Sequence, residues 1–246
     1  KVHAFTGSQQ ALAWYKLPWG DRIELNLSGS YSSSKPNESF SLNRNEYFKT
    51  GEKDLRNYYN DSRSNTYKIR GSFKYGIEIP YTKWTMLVGP KFKQTYQSVK
   101  GLKYRLDELG GDWISNPELM FATLPSNMEQ LSGVMDEDVS RSYQTMRKDT
   151  GAELEFQRNA PSSFLTLSLS LSKEKERINY HTSALDTIAK RSRMVFGPTF
   201  MYGCYDDKKS ISLTYYMQSQ MPDFFSIMPY RDNSNPLAVR VNNPDL

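Results

Sequence analysis

The sequence predicts an all-β chain, an antiparallel up-and-down transmembrane β-barrel of which about eight strands are visible. Three observations predict it. Apolar residues recur at every second position in several segments, which is the period of an extended strand with one apolar face. Only 37% of the 246 residues are hydrophobic while 13% are aromatic. That balance suits strands that are apolar on one side only. A helical membrane protein would need apolar runs of about 20 residues, and none occurs. Finally, the expected connections alternate between tight turns and long loops, as the two rims of an up-and-down barrel do.

Composition also excludes several classes. The net charge is +5, with cations dispersed among acids and no basic block, so no nucleic-acid partner is expected. Cys204 is the single cysteine and His3 and His181 are the only histidines. A disulfide framework, a cysteine metal cluster and histidine-based zinc or triad chemistry therefore lack parts, and neither metal nor cofactor is expected. Asp136, Glu137 and Asp138 read as a solvated loop run; no nucleophile, base and orienter stand together, so the chain reads as a non-enzyme. The N-terminal KVHAF carries no charged-then-apolar leader, which reads as a removed signal peptide or a chain cut from a longer one.

In chain order, the first strand is expected over Ala4 to Leu17 and meets a tight turn at Pro18-Trp19-Gly20-Asp21. In the second, Ile23, Leu25, Leu27, Gly29 and Tyr31 oppose Glu24, Asn26, Ser28 and Ser30. Ser32 to about Asn65 is polar throughout and reads as a loop. The third strand, Tyr67 to Ile79, separates best: Tyr67, Ile69, Gly71, Phe73, Tyr75, Ile77 and Ile79 lie on one side, and Lys68, Arg70, Lys74 and Glu78 on the other. A cation on a lipid-facing midplane would cost about 2–4 kcal/mol, so this segregation is expected of a barrel wall. Trp84 to about Tyr96 follows a turn at Pro80 to Lys83, with Gly89-Pro90 read as a bulge because proline lacks the ladder donor.

Periodicity lapses from Ser98 to Ser140, the longest expected loop. Asn116-Pro117-Glu118 and the Ser126/Glu129 spacing predict short helices inside it. Ser142 to Arg158 is the fifth strand. The sixth, SSFLTLSLSLSKEK onward to Asn179, places Leu165, Leu167, Leu169 and Leu171 on one face; that face continues as Lys173, Lys175 and Arg177. A soluble sandwich strand has the same alternation, and the sorted loop lengths decide for the barrel. After a loop at Tyr180 to Lys190, strands at about Arg191 to Tyr202, with a second bulge at Gly197-Pro198, and Ser210 to Gln218 flank a turn at Tyr205 to Lys209. Trp19 and Trp84, with Trp14 nearby, fall at the short-turn rim like an interfacial girdle.

The tail carries Pro229, Tyr230, Asp232, Asn233, Ser234, Asn235, Pro236 and Leu237, then Asn243, Pro244, Asp245 and Leu246. This P-Y-x-D-N-S-N-P-L followed by N-P-D-L resembles the corresponding loop of TonB-dependent outer-membrane receptors of the Bacteroidota type. The resemblance implies that residues 1–246 form one partial barrel domain, with about eight of about 22 strands, lacking plug and remaining strands. It implies ligand uptake across the outer membrane, with outer-membrane lipid, the plug of the same full-length chain and a TonB-type energising complex as partners. The ligand class stays open among a siderophore, a peptide and a glycan. Within residues 98–140, an expected extracellular loop, Tyr104, Trp113 and Phe121 are the candidate contacts, since rigid aromatics make efficient ones. The competing reading is that they pack the loop against itself. Lys68, Arg70, Lys74, Lys91 and Lys93 either face an anionic ligand or are neutralised by Glu24, Glu78, Glu153 and Glu155 across strands. Two alternatives remain: a complete eight-stranded barrel with an adhesin or structural role, and a soluble secreted β-sheet binding module.

Overall fold

The computed structural model describes residues 3–35, 39–46, 49–51, 53–116, 118–137, 139–181, 186–206, 209–217, 219, 222, 231–232 and 240–241. It is all-β: one nine-stranded antiparallel sheet built up and down, and open. The strands are β1 (His3–Lys16), β2 (Arg22–Lys35), β3 (Ser39–Glu46), β4 (Lys53–Glu78), β5 (Trp84–Arg105), β6 (Arg141–Ala160), β7 (Ser163–His181), β8 (Asp186–Asp206) and β9 (Lys209–Tyr216). Each pairs with the next, except that β3 is a side arm on β4 and β2 pairs directly with β4. β1 and β9 form the two edges. A separate two-residue ladder joins β10 (Arg231–Asp232) to β11 (Arg240–Val241). Among the described residues no helix is long and apolar enough to cross a membrane, which says nothing of strands.

Register sorts the side chains into two faces. Cα partners share a face, so one row runs Tyr75, Val88, Leu154, Leu169 and Pro198, and another Phe73, then Ala152, Leu171 and Phe196. From Tyr67 to Ile77, Trp84 to Tyr96, Leu165 to Leu171 and Ile211 to Met217 this face has no charge. Its large side chains lie open: Leu169 is 44% exposed, Phe196 50% and Leu213 57%.

The opposite, polar face is concave. Arg22 on β2 donates through Nη2 to Gln157 Oε1 on β6 at 3.0 Å, across three strand spacings that measure about 14 Å on a flat sheet. Leu87 is fully buried beneath this contact. Glycines on the inner side permit the curl: a Cβ at Gly89 would run into the Phe73 carbonyl, and one at Gly151 into the Leu171 carbonyl.

Several expected boundaries move outward. The segment read as a loop from Ser32 to Asn65 is strand at both ends, with β3 between, and β4 is 26 residues long. Both its faces are polar over residues 60–66, so it carries no alternation to find; backbone pairing to β2 and β5 defines it. Likewise β5 continues through Ser98 to Arg105, and β7 and β8 absorb most of the expected loop from Tyr180 to Lys190, leaving residues 182–185. The rim opposite the short turns is thus made partly of strand, and residues 182–185 lie outside the described residues. The bulges at Gly89-Pro90 and Gly197-Pro198 are absent: the register is unchanged across both sites, and two β4–β5 pairs are merely missing beside Pro90, which has no N–H to give. Trp14 pairs with Glu24, so it stands on the polar face and outside any girdle on the apolar one.

The tight turns at residues 17–21, 79–84 and 160–163 are as expected; residues 207–208 of the turn expected at Tyr205 to Lys209 lie outside the described residues. Leu17 N–H donates to the Asp21 carbonyl at 2.7 Å with Gly20 at φ +105°, a backbone region glycine occupies without strain.

Candidate functional site

The polar face gathers most of its charges into ion pairs. Lys74 Nζ lies 2.6 Å from Glu155 and 3.7 Å from Glu153, Arg22 lies 3.0 Å from Glu24, and Lys16 lies 3.3 Å from Glu78. Farther along, Arg147 and Arg191 hold Glu176 between them, and Arg193 holds Glu174 at 2.8 Å. Neutralisation across strands is therefore what happens to Lys74. It is not what happens to its neighbours. Among the described residues Lys68, Arg70, Lys91 and Lys93 make no ion pair.

Three of these four converge. A cleft of about 510 Å³ on the concave face is lined by Gln10, Asn26, Ser28, Arg70, Lys91 and Lys93, with Asp149 and Glu153 at its far wall. Arg70 and Lys93 are direct cross-strand partners, an arrangement of like charges that repels, and Lys93 stands directly across from Asp149 on its other side without forming an ion pair with it. Asp149 Oδ1 is buried here without a hydrogen-bond partner. The cleft thus offers fixed cations, amide and hydroxyl groups and one spare acceptor, a set suited to an anionic ligand that also carries donors.

The second region is the excursion between β5 and β6. It contains 3-10 turns at Leu106–Leu109 and Met128–Val134 and the one-turn helix α1 (Asp112–Ser115). Asn116 closes α1 as its C-cap instead of opening a helix, and Pro117 lies outside the described residues. Asn127, in place of Ser126, caps the later turn, its Oδ1 accepting from Glu129 N–H at 3.0 Å.

The candidate aromatics all come to this excursion, around one small core of Tyr59, Leu106, Leu131 and Val134. Tyr104 stacks on Tyr59 at 5.7 Å; Phe121 meets Phe40 edge-on at 6.4 Å; Trp113 packs against the same core. Phe121 retains 41% exposure, so it alone of the three offers substantial free surface. The cap is tied down by Tyr58, whose hydroxyl donates to Asp136 Oδ2 at 3.0 Å. Burial raises the Tyr58 phenol above its ordinary value, Arg56 opposes this, and Asp136 adds to the rise. Burial likewise raises Tyr104, helped by Asp61.

Sequence reasoning missed Phe40 and Tyr59, which complete this core from β3 and β4. The available signal was the alternation of Phe40 and Leu42 with Ser39, Ser41 and Asn43. Of the tail motif, Asp232 pairs with Arg240 in the short ladder; Pro229, Tyr230, Asn233, Ser234, Asn235, Pro236, Leu237, Asn243, Pro244, Asp245 and Leu246 lie outside the described residues.

No protein-family model and no curated protein matches this chain.

Proposed function

We propose that this chain is part of the wall of a large outer-membrane β-barrel that takes up a ligand in a TonB-dependent manner. One observation carries the reading: an exposed apolar face, free of charge through its central band, on a sheet whose edges are open. An apolar face of this extent in water would demand a partner, and lipid is the partner that leaves the polar face wet. Open edges inside a bilayer leave N–H and C=O groups unpaired at several kcal/mol each. In this reading further strands continue the wall beyond β1 and β9 and pair those edges, and the barrel of about 22 strands implied by the resemblance of the tail supplies them.

In this reading the concave face lines the lumen, where the cations of the Arg70 cleft would attract a siderophore, peptide or glycan bearing acidic groups. The plug of the full-length chain would occupy the lumen, and a TonB-type complex would act on it. The excursion with Tyr104, Trp113 and Phe121 would stand outside the membrane, with Phe121 as its most available contact.

The test is an antibody against residues 106–140 applied to fractionated cells. A band far heavier than this chain, released from outer membranes only by detergent, is expected. A band of the chain's own mass in that fraction would replace the transporter with a small barrel, and a soluble band would end both membrane readings.

A further inference from the structure

Just past the leucines of β7, the apolar face changes character over three strands. Lys173, Lys175 and Arg177 on β7, Lys148 on β6 and Lys190 on β8 share that face and are all exposed. Lys148 stands directly across from Lys175, and Arg177 directly across from Lys190. Two like-charged pairs side by side repel, and nothing on this face offsets them. The carboxylates of the same strands, Glu174 and Glu176, turn to the polar face, where arginines hold them. On β6, β7 and β8 the described carboxylate in the outer half of the apolar face is Asp186, at the tip and 3.7 Å from His181; Asp61 on β4 and Glu46 on β3 share the face farther out and strands away. Arg177 Nε donates to Asn179 Oδ1 at 3.0 Å, leaving its other donors available. A groove of about 350 Å³ runs between these cations, floored by Met146 and Ser192.

Depth identifies the occupant. Strands tilted by about 35–45° and rising about 3.3 Å per residue place Lys173 about 5 Å, and Lys175 with Lys148 about 10 Å, beyond the level of Leu171. The headgroup layer on each side of the hydrocarbon is about 5–7 Å thick, and Arg177 and Lys190 can reach back toward it along their own stems. The same cross-strand row, followed to β5, β4 and β2, is Tyr96, Tyr67 and Tyr31, with ring centroids 6.1 and 4.7 Å apart. Tyrosines of this kind mark a membrane–water boundary. We propose that Lys148, Lys173, Lys175, Arg177 and Lys190 form a binding site for a phosphate-bearing anionic lipid headgroup in the leaflet on the long-loop side. This assignment rests on the membrane-wall reading.

The test compares phosphatidic acid, whose phosphate is net-anionic, with zwitterionic phosphatidylcholine. The intact protein in dodecyl maltoside micelles is offered each lipid, and retained lipid is counted by native mass spectrometry. Phosphatidic acid should be retained about tenfold better, and the preference should vanish in the variant K148Q/K175Q/R177Q/K190Q. Lys100→Gln, farther out on β5, should keep it. With the unaltered protein, rising sodium chloride should erode the preference, which tests the site even if the quadruple variant does not fold. A protein that enters the micelles without preferring phosphatidic acid, or a preference that survives the quadruple variant or is indifferent to salt, overturns the site and leaves the wall intact. Displacement of the lipid by millimolar inorganic phosphate overturns the headgroup in favour of a free anion. A protein that stays out of detergent altogether overturns both readings.

Discussion

The two faces of this sheet are built from the same strands and treat charge in opposite ways. On the concave face acids and bases meet: Lys74 with Glu155, Arg193 with Glu174, Glu176 between two arginines. On the apolar face charge is absent through the band and then, on β6, β7 and β8, appears as a cluster of five cations before the one acid at the tip, Asp186. The difference teaches that alternation by itself is only half of the pattern. A soluble sheet has no reason to set five cations together on one face directly beyond an apolar band. A wall between lipid and water does, because lipid phosphates supply the missing negative charge.

Placing one charge on each face is the strongest way to break the comparison. Leu169→Arg should cost about 2–4 kcal/mol of stability in lipid vesicles, whereas Ser168→Arg, on the neighbouring position of the other face, should stay within about 1 kcal/mol. Equal costs, read from denaturant titration of vesicle-folded protein, would remove the assignment of faces. A smaller effect is expected within the polar face. Glu176→Gln leaves Arg147 and Arg191 without their shared partner; with Glu176 only 8% exposed, about 2 kcal/mol should be lost.

The cap offers a sharper, local probe. Leu131→Ala should loosen the small core by about 2 kcal/mol and speed proteolysis of residues 106–140 without altering membrane extraction. Cleavage at an unchanged rate would show that the core does not hold the excursion. The smallest effect is a pH dependence. The Tyr58 phenol is raised in the folded protein, so its contribution is full below the ordinary tyrosine range near pH 10 and is lost as pH rises through the higher folded value. Proteolysis of the cap should therefore accelerate in alkali, and Tyr58→Phe should flatten that rise while costing about 1 kcal/mol at neutral pH.

Much of the sheet was legible in the sequence because strand periodicity is local. The faces of β2, β5, β7 and β9 and three short turns among the described residues follow from alternation and from turn residues such as Pro18-Trp19-Gly20-Asp21. So did the end of the leucine run in Lys173, Lys175 and Arg177. The polar stretches were not legible: residues 53–66 and 98–105 carry no alternation, and only pairing with neighbouring strands, remote in sequence, makes them β. Which cations are neutralised was equally hidden. Lys74 and Arg70 stand four residues apart on one face, yet only Lys74 reaches Glu155, two strands away, over the space left by Gly89. Period, faces and the chemistry available to each are local properties, readable residue by residue. The tertiary structure decided the register, the curvature and the pairings, because those depend on distances between strands that no single segment encodes.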